Sequence, residues 1–474
     1  MRISRLRLLL ACLVAFSVSC SSDSPVTAEE TPQDAPALTI SIQSGAGQEA
    51  RQFEWLPEPV TVLVQTDEGQ PAADQAVTAT STDESDQIEA TARTDSNGLV
   101  QFDWKMGEDF RRTVTFTVED ASTQTTATAT YRYFGPRAVS DGWTVSDLDE
   151  SSDGTQRLFE GVDHIRRNAY PGIHSMVIVQ GGALRFELYL EGNDSQGRFW
   201  DWTSQTPHEQ QSASKSFRSA LVGLAVDRGL LTVDTPVKDL FPDYASSFVD
   251  GKEDITVQDF LTMSSGLDWN EAGAAAGQTN NNLSQMYSQN PGTWTGYVFN
   301  RPLAFTPGTQ FVYNTGASLL LDDMVVRASG RTLADFVYDN YYDLIGSHDT
   351  PGGPNPENGA LKTPREMAKL GQIYLDRGMW QDTRILSEAW VEDSFVERMT
   401  PSPGIGYGYQ WWMRTLSTDQ ASYRVKYASG NGGQFIMIVD ELDLVIVSTG
   451  GNFGSSTMNQ FHTIAESYVL PAFE

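Results

Sequence analysis

Hydrophobic and polar residues alternate along residues 38–134, and no helical period is present there. Two apolar faces stand out, in residues 60–64 (VTVLV) and 114–118 (VTFTV). The segments Asp67–Gly69 and Ser96–Gly98 have the composition of turns between such strands. Because threonine is also frequent, the pattern predicts an all-β sandwich of the immunoglobulin-like kind over 38–134.

Residues 156–474 mix strand and helix patterns. Apolar runs form predicted hairpins over 175–189 and 435–447, at opposite ends of this segment. A capping box with proline at its first helical position, Thr363–Glu366, begins a predicted helix, and a final helix is predicted over 458–469. Strands at both ends with helices between them predict an α+β domain. Its antiparallel sheet is built from both ends of the segment, with helices packed on it.

A helical period of apolar residues runs over residues 215–228. It begins at a lysine, Lys215, and a serine, Ser212, lies just before it. Ser212 and Lys215 are three residues apart, so on a helix they project from the same face. An amine beside a hydroxyl can take its proton, and the N–H groups at a helix N-terminus favour the negative charge formed in acyl transfer. The spacing Ser-x-x-Lys alone is a weak signal, because it occurs readily by chance.

Two further segments carry candidate chemistry. Tyr313 lies in residues 307–316 (PGTQFVYNTG), and a nearby cation such as Lys215 would let its hydroxyl relay a proton. Residues 428–435 (ASGNGGQF) lead into a strand, and glycines at a strand edge let substrate approach the backbone. Tyr409 and Trp411 are candidates for lining an apolar pocket.

The first twenty residues resemble a bacterial secretory signal. Three arginines precede an apolar run over 8–18 that is too short to span a bilayer, and Cys20 stands where a lipoprotein is acylated. We therefore predict an exported protein whose contact with a membrane is a lipid anchor at Cys20. The expected location is the outer membrane or periplasm of a Gram-negative bacterium, with an ordinary cleaved signal as the alternative.

Composition and motif content exclude several classes of partner and cofactor. The chain has 62 acidic and 32 basic residues, a net charge of −30, which repels nucleic acid. Its five histidines lack metal-ligand spacing, no Gly-x-Ser-x-Gly elbow is present, and no phosphate-cradling glycine loop is present. We expect no metal and no organic cofactor, and a small-molecule ester or amide as the partner; the oligomeric state is not predicted. The predicted division of the chain is a signal over 1–20, linkers over 21–37 and 135–155, the sandwich over 38–134, and the catalytic domain over 156–474.

In their order and spacing, Ser212–Lys215, Tyr313–Thr315 and Ala428–Gly430 resemble the three motifs of the serine β-lactamase and penicillin-binding protein superfamily. The similarity is greatest to the branch that holds class C β-lactamases, esterases and 6-aminohexanoate-oligomer hydrolases. Residues 262–267 (TMSSGL) and 406–412 (GYGYQWW) add to it. The first domain resembles the bacterial Ig-like repeats of surface proteins.

The resemblance implies a role for each matched residue. Ser212 is the implied nucleophile, Lys215 the general base and Tyr313 the proton relay to the leaving group. The implied oxyanion hole consists of the backbone N–H groups of Ser212 and Asn431. The remaining residues of the matched motifs and of the aromatic segment are the expected substrate-binding positions: Asn314, Thr315, Gly430, Gly433, Tyr409 and Trp411.

Two positions depart from the family pattern. The second motif is usually Tyr-x-Asn, and here its third position is Thr315. The third motif usually begins with Lys or His, which meets the carboxylate of penicillins, and here it begins with Ala428. Lys426 lies two residues earlier and would share a strand face with that position. The departures favour an esterase or amidase. A β-lactamase or DD-peptidase, and a non-catalytic cell-envelope binding protein of the same fold, are the alternatives.

Overall fold

The computed structural model describes residues 37–50, 54–82, 85–107, 111–119, 124–131, 136, 138–149, 151–271, 281–347 and 361–474. The predicted signal, Cys20 and most of the first linker lie outside these ranges. The first unit consists of strands β1 Leu38–Ser44, β2 Gln48–Ala50, β3 Val60–Thr66, β4 Ala76–Ser81, β5 Gln87–Ile88, β6 Thr91–Arg93, β7 Leu99–Phe102, β8 Trp104–Lys105, β9 Arg111–Val118 and β10 Thr125–Tyr131.

The strands of the first unit form two main sheets. One has the order β1-β3-β7 and the other β2-β10-β9-β4-β6, with β5 and β8 paired separately. The alternation of the sequence sets the burial: Val60, Val62 and Val64 are fully buried, as are Val114 and Phe116. Side chains from both sheets therefore fill one core, as the sequence pattern predicts.

The second unit contains fifteen strands and twelve α-helices in the described part of the chain. Its strands are β11 Thr144–Val145, β12 Ile173–Gln180, β13 Ala183–Tyr189, β14 Glu191–Asn193, β15 Phe199–Asp201, β16 His208–Glu209, β17 Leu361–Lys362, β18 Met379–Trp380, β19 Thr383–Arg384, β20 Met399–Ser402, β21 Ile405–Tyr407, β22 Trp412–Ser417, β23 Ser422–Gly430, β24 Gln434–Val439 and β25 Leu444–Gly450. Its helices are α1 Asp153–Arg166, α2 Ser214–Asp227, α3 Val237–Leu240, α4 Val257–Leu261, α5 Asn282–Tyr287, α6 Trp294–Phe299, α7 Thr315–Ser329, α8 Leu333–Val337, α9 Asp343–Ile345, α10 Pro364–Leu375, α11 Glu388–Ser394 and α12 Gln460–Ile464.

A nine-stranded sheet with the order β11-β13-β12-β25-β24-β23-β22-β21-β20 forms the centre of this unit. The two ends of the segment meet where β12 pairs antiparallel with β25, for example Val177 with Val447. All neighbours are antiparallel except β11 and β13, which pair in parallel at one edge. The sheet therefore brings β23, with the third motif, close to its middle.

Helices cover the sheet on the side that carries the Ser-Lys motif. Thr363 caps α10 by accepting a hydrogen bond from the Glu366 N–H at 3.2 Å, as the capping box predicts. At Gly371 of α10, a Cβ would lie 2.5 Å from Val445, so the glycine permits close packing on the sheet. The predicted helix over 458–469 is divided into α12 and a π-helical turn over Ala465–Val469. Within the described ranges, no helix is long and apolar enough to span a membrane.

Candidate active site

Ser212 lies in a 3₁₀ turn, Gln211–Ala213, which leads directly into α2. Lys215 Nζ lies 2.9 Å from Ser212 Oγ, within hydrogen-bonding distance, and Lys215 is only 4% exposed. Gln211 has a φ of 50°, in the left-handed region that non-glycine residues rarely adopt. The serine is thus displayed on a strained turn, with its amine partner one helical turn away.

A chain of hydrogen bonds fixes this turn from behind. The Ser214 hydroxyl donates to the Gln211 carbonyl at 2.7 Å, and the Arg218 guanidinium donates to Ser214 Oγ at 2.8 Å. Arg218 also forms a buried ion pair with Asp322 of α7, with Nε and Oδ2 2.8 Å apart. The turn that carries Ser212 is therefore held by both α2 and α7.

Strand β23 ends against the same turn. A Cβ at Gly430 would lie 2.2 Å from the Gln210 carbonyl oxygen and 3.0 Å from the Ala213 nitrogen, so only glycine permits this contact. Asn431 follows immediately, which brings its backbone to the neighbourhood of Ser212. Gly433 has a φ of 100° and forms the turn into β24. Its carbonyl oxygen accepts a hydrogen bond from the Ser448 hydroxyl.

Tyr313 completes the cluster. The Lys215 ammonium lies 4.9 Å from the centre of the Tyr313 ring, and the Trp412 ring stacks on the same tyrosine at a centroid distance of 6.0 Å. The segment before Tyr313 is fixed by Met263, whose carbonyl accepts from the Val312 N–H at 2.7 Å and whose sulfur accepts from the Asn314 N–H at 3.3 Å. The TMSSGL motif is thus the support of the tyrosine.

The two residues after Tyr313 do not serve as the sequence predicted. Asn314 is 1% exposed and caps α7, because its Oδ1 accepts from the Ala317 N–H at 2.8 Å. The Thr315 hydroxyl donates to Glu271 at 2.7 Å, and its N–H donates to the same carboxylate at 3.0 Å. The prediction that their side chains bind substrate is wrong for Asn314, and the Thr315 hydroxyl is already engaged by Glu271.

The aromatic segment also requires a correction. Tyr409 and Trp411 are 1% and 0% exposed, and they pack in the core against Trp390 and Tyr374 respectively. They do not line the site. Trp412, the next residue, begins β22 and points the other way, because successive side chains of a strand alternate. The Trp412 ring contacts the rings of Tyr313, Phe311 and Tyr407.

Lys426 does not replace the missing cation of the third motif. Its ammonium pairs with the Asp440 carboxylate and lies 4.7 Å from the centre of the Phe395 ring. Ala428 is 1% exposed and packs in the core with the helices, so this position offers the site no charge. Among the described residues, no group of three or more His, Cys, Asp or Glu is placed to hold a metal ion.

Three supporting residues were missed from the sequence. Arg218 and Glu271 are described above. The third is Gln410, whose side chain donates to the carbonyls of Phe260 and Leu261 at 2.9 and 2.8 Å and accepts from Ser318 at 2.9 Å. Gln410 could not be recognised from the sequence. Its backbone has a positive φ, and these tertiary contacts, rather than any local sequence pattern, set that conformation. Of the three, only Arg218 could have been noticed in the sequence, because it lies at helical spacing from Lys215.

A family model described as Beta-lactamase matches residues 155–449, which is more than half of the chain. The chain belongs to the Beta-lactamase family. A second model, Macroglobulin domain MG4, matches residues 56–132, and this domain is Ig-like.

Individual proteins support the family assignment. The 6-aminohexanoate-dimer hydrolase of Paenarthrobacter ureafaciens is 26% identical over 295 residues, which is 58% of this chain and 71% of that protein. The unliganded simvastatin synthase LovD of Aspergillus terreus has a TM-score of 0.52 at 16% identity, covering 67% of this chain and 98% of that one. EstCE1, a hydrolase with promiscuous acyltransferase activity, has a TM-score of 0.53 at 12% identity, covering 66% and 100%. The family match covers the unit that holds Ser212, Lys215 and Tyr313.

Proposed function

We propose that the protein cleaves an ester or amide bond through an acyl-enzyme on Ser212. The single observation that carries this is the contact of 2.9 Å between Lys215 Nζ and Ser212 Oγ, in a buried environment beside Tyr313. The amine is close enough to take the hydroxyl proton as the oxygen attacks. Lys215 Nζ also lies 4.9 Å from the centre of the Tyr313 ring, although about a hundred residues separate Tyr313 from the pair.

The reaction has two stages. In the first, Ser212 Oγ bonds to the carbonyl carbon while Lys215 accepts the proton, and the backbone N–H groups of Ser212 and Asn431 stabilise the oxyanion. Tyr313 then gives its hydroxyl proton to the leaving alcohol or amine as the carbonyl–heteroatom bond breaks, and it receives in return the proton that Lys215 took from Ser212. In the second stage, water attacks the acyl-enzyme by the same proton route, releasing a carboxylic acid and free Ser212.

The surroundings of the site favour substrates without a carboxylate near the scissile bond. Ala428 supplies no cation, Lys426 is paired with Asp440, and Glu271 places a carboxylate next to Thr315. The rings of Trp412 and Phe311 offer an apolar surface beside Tyr313. The names of two similar proteins, a 6-aminohexanoate-dimer hydrolase and a carboxylesterase, agree with amide or ester cleavage. Penicillins, which carry a carboxylate, fit this site less well.

A comparison of esters with amides tests the proton relay. A p-nitrophenolate leaves without protonation, whereas an anilide nitrogen must be protonated. Tyr313→Phe should lower kcat for a p-nitroanilide by about 10²–10⁴-fold, the usual contribution of a general acid, and change p-nitrophenyl ester acylation much less. The variant keeps the ring that contacts Lys215 and Trp412. Equal losses on both substrates would show that Tyr313 does not protonate the leaving group.

We also propose that the protein is exported and anchored by a lipid on Cys20, with the Ig-like domain as a spacer. The support is the basic and apolar pattern of residues 1–20, which precedes a short linker of acidic composition. Globomycin, which blocks the lipoprotein signal peptidase, should make the unprocessed precursor accumulate in producing cells. Cys20→Ala should abolish the incorporation of labelled palmitate into the protein, and unchanged labelling of the variant would contradict the anchor at Cys20.

A further inference from the structure

A second cleft lies apart from the catalytic cluster. Its volume is about 610 Å³, and its walls come from the end of α1, the ends of β12 and β13, and the hairpin β14–β15. Neither Ser212, Lys215 nor Tyr313 lines it. Cavities of about 300–1,000 Å³ are the usual size of small-molecule sites.

An aromatic ring stands free at the edge of this cleft. Phe199 of β15 is 63% exposed, and Trp202, Tyr170 and Tyr189 contribute further aromatic surface to the walls. The neighbouring Trp200 is also exposed, but it points to the other face of the hairpin and does not line the cleft. A large apolar ring held in water beside a cavity is a common feature of binding surfaces.

The hairpin that holds Phe199 is rigid. The Asp194 carboxylate accepts hydrogen bonds from the N–H groups of Gln196 and Arg198 at 2.9 Å, and from the Arg198 guanidinium and Trp200 indole at 2.7 and 3.0 Å. Burial alone would raise the pKa of Asp194, but these bonds hold it below its ordinary value. Gly192 packs directly on the His174 ring, which fixes the base of the hairpin. The ring is thus presented in a fixed position, which lowers the entropy lost on binding.

The polar groups of the cleft suit hydroxyl partners. Asn168 and Asn193 offer amides, Thr203 offers a hydroxyl, and Glu191 and Asp201 offer carboxylate acceptors. The two carboxylates outnumber the one arginine of the lining, Arg166, and together with the net charge of −30 they disfavour an anionic ligand.

We infer that this cleft binds a neutral saccharide, with one sugar ring against Phe199 and its hydroxyls bonded by the amides and carboxylates. The two faces of a pyranose match this lining, because the axial C–H groups form an apolar face and the hydroxyls lie around the edge. The inference does not depend on the chemistry proposed for Ser212. It gives the protein a glycan contact separate from its catalytic site.

Isothermal titration of the purified protein with neutral hexasaccharides, of β-1,4-glucose, α-1,4-glucose and N-acetylglucosamine, tests this inference. At least one should bind with a Kd below about 1 mM. Phe199→Ala should weaken that binding by about 3- to 10-fold, the value of one aromatic stacking contact, and Phe199→Tyr should retain it. Trp55→Ala is the matched control, since it removes an exposed ring, 56% accessible, that does not line the cleft, and its affinity should be unchanged.

All three variants should keep wild-type ester turnover and a wild-type unfolding temperature. Three outcomes would overturn the inference: no neutral hexasaccharide binds, only charged oligosaccharides bind, or Phe199→Ala and Trp55→Ala bind with equal affinity.

Discussion

The Arg218 guanidinium lies 2.8 Å from the Asp322 carboxylate and joins α2 to α7 directly behind the catalytic pair. The side chains are only 7% and 15% exposed, so the charges are shielded from water. Arg218 also bonds Ser214, which bonds the carbonyl of Gln211. One arginine thus connects the helix after Tyr313 to the strained turn that displays Ser212.

Breaking this pair should unfold the domain more easily. Arg218→Ala leaves Asp322 buried without its partner, and such a loss costs about 3–5 kcal/mol of unfolding free energy. Arg218→Met combined with Asp322→Leu should cost less than either single truncation, because no buried charge remains unpaired. Chemical denaturation of Arg218→Ala, Asp322→Ala and the double variant measures this.

The same variants separate positioning from stability. Below the unfolding transition, Arg218→Met with Asp322→Leu should lower kcat while KM changes little, because Ser212 loses its support and the substrate surface does not change. If the double variant keeps the wild-type kcat, Arg218 contributes stability alone.

A buried pair of histidines precedes the nucleophile. His174 Nδ1 and His208 Nε2 are 2.8 Å apart, and both residues are 1% exposed. His208 Nδ1 lies 3.1 Å from the Glu209 carbonyl oxygen, which can only accept. His208 Nδ1 therefore carries the proton, its Nε2 accepts from His174 Nδ1, and both rings are neutral.

Acid should therefore destabilise the protein. Burial, reinforced by the neighbouring His208, lowers the pKa of His174 to about 3, and burial lowers the pKa of His208 to about 4. The unfolded chain binds these protons near pH 6.5, so between about pH 6.5 and 4 it holds more protons than the native state. The unfolding free energy should have its full value above about pH 6.5 and should fall as the pH is lowered from 6.5 to 4.

His208→Gln tests whether His208 contributes to this loss of stability in acid. The variant has one less proton to take up on unfolding, so its stability should decline less steeply between pH 6.5 and 4, as followed by thermal unfolding. His462, whose pKa burial also lowers to about 3, keeps part of the slope in the variant. A variant with the wild-type slope would show that His208 is not responsible.

Trp411 and Trp412 should respond in opposite ways to substitution. Trp412→Ala removes a ring that stacks on Tyr313, so KM for long-chain acyl esters should rise by about 3- to 10-fold, with a smaller loss of stability than in Trp411→Ala. Trp411→Ala opens a cavity in the core and should cost about 3–5 kcal/mol in unfolding, measured by denaturant titration. Equal effects of the two variants on KM would contradict the assigned orientations.

The sequence was sufficient for the features that rest on local pattern. Alternation predicted the sandwich strands around Val62 and Phe116, and the capping box predicted the start of α10 at Pro364. The order of the three motifs predicted that Ser212, Lys215 and Tyr313 come together, because motif order follows the family fold.

The errors arose where the fold decides which way a side chain points. Tyr409, Trp411 and Trp412 are equally aromatic in the sequence, and only tertiary packing places Trp412 beside Tyr313 and the other two in the core. Asn314 has the polarity of a substrate ligand, but its position before α7 makes it a helix cap. Arg218 was not distinguished, because its partner Asp322 lies about a hundred residues away.

Mass spectrometry of the acyl-enzyme is the most direct test of the central claim that Ser212 is the nucleophile. After reaction with a fluorophosphonate or a slow ester substrate, the wild-type protein should carry one covalent adduct, mapped by peptide sequencing to Ser212. Ser212→Ala should carry none and should lose p-nitrophenyl ester turnover, while Ser214→Ala, two residues away, should still be labelled at Ser212. An adduct on another residue, or full turnover by Ser212→Ala, would contradict the account.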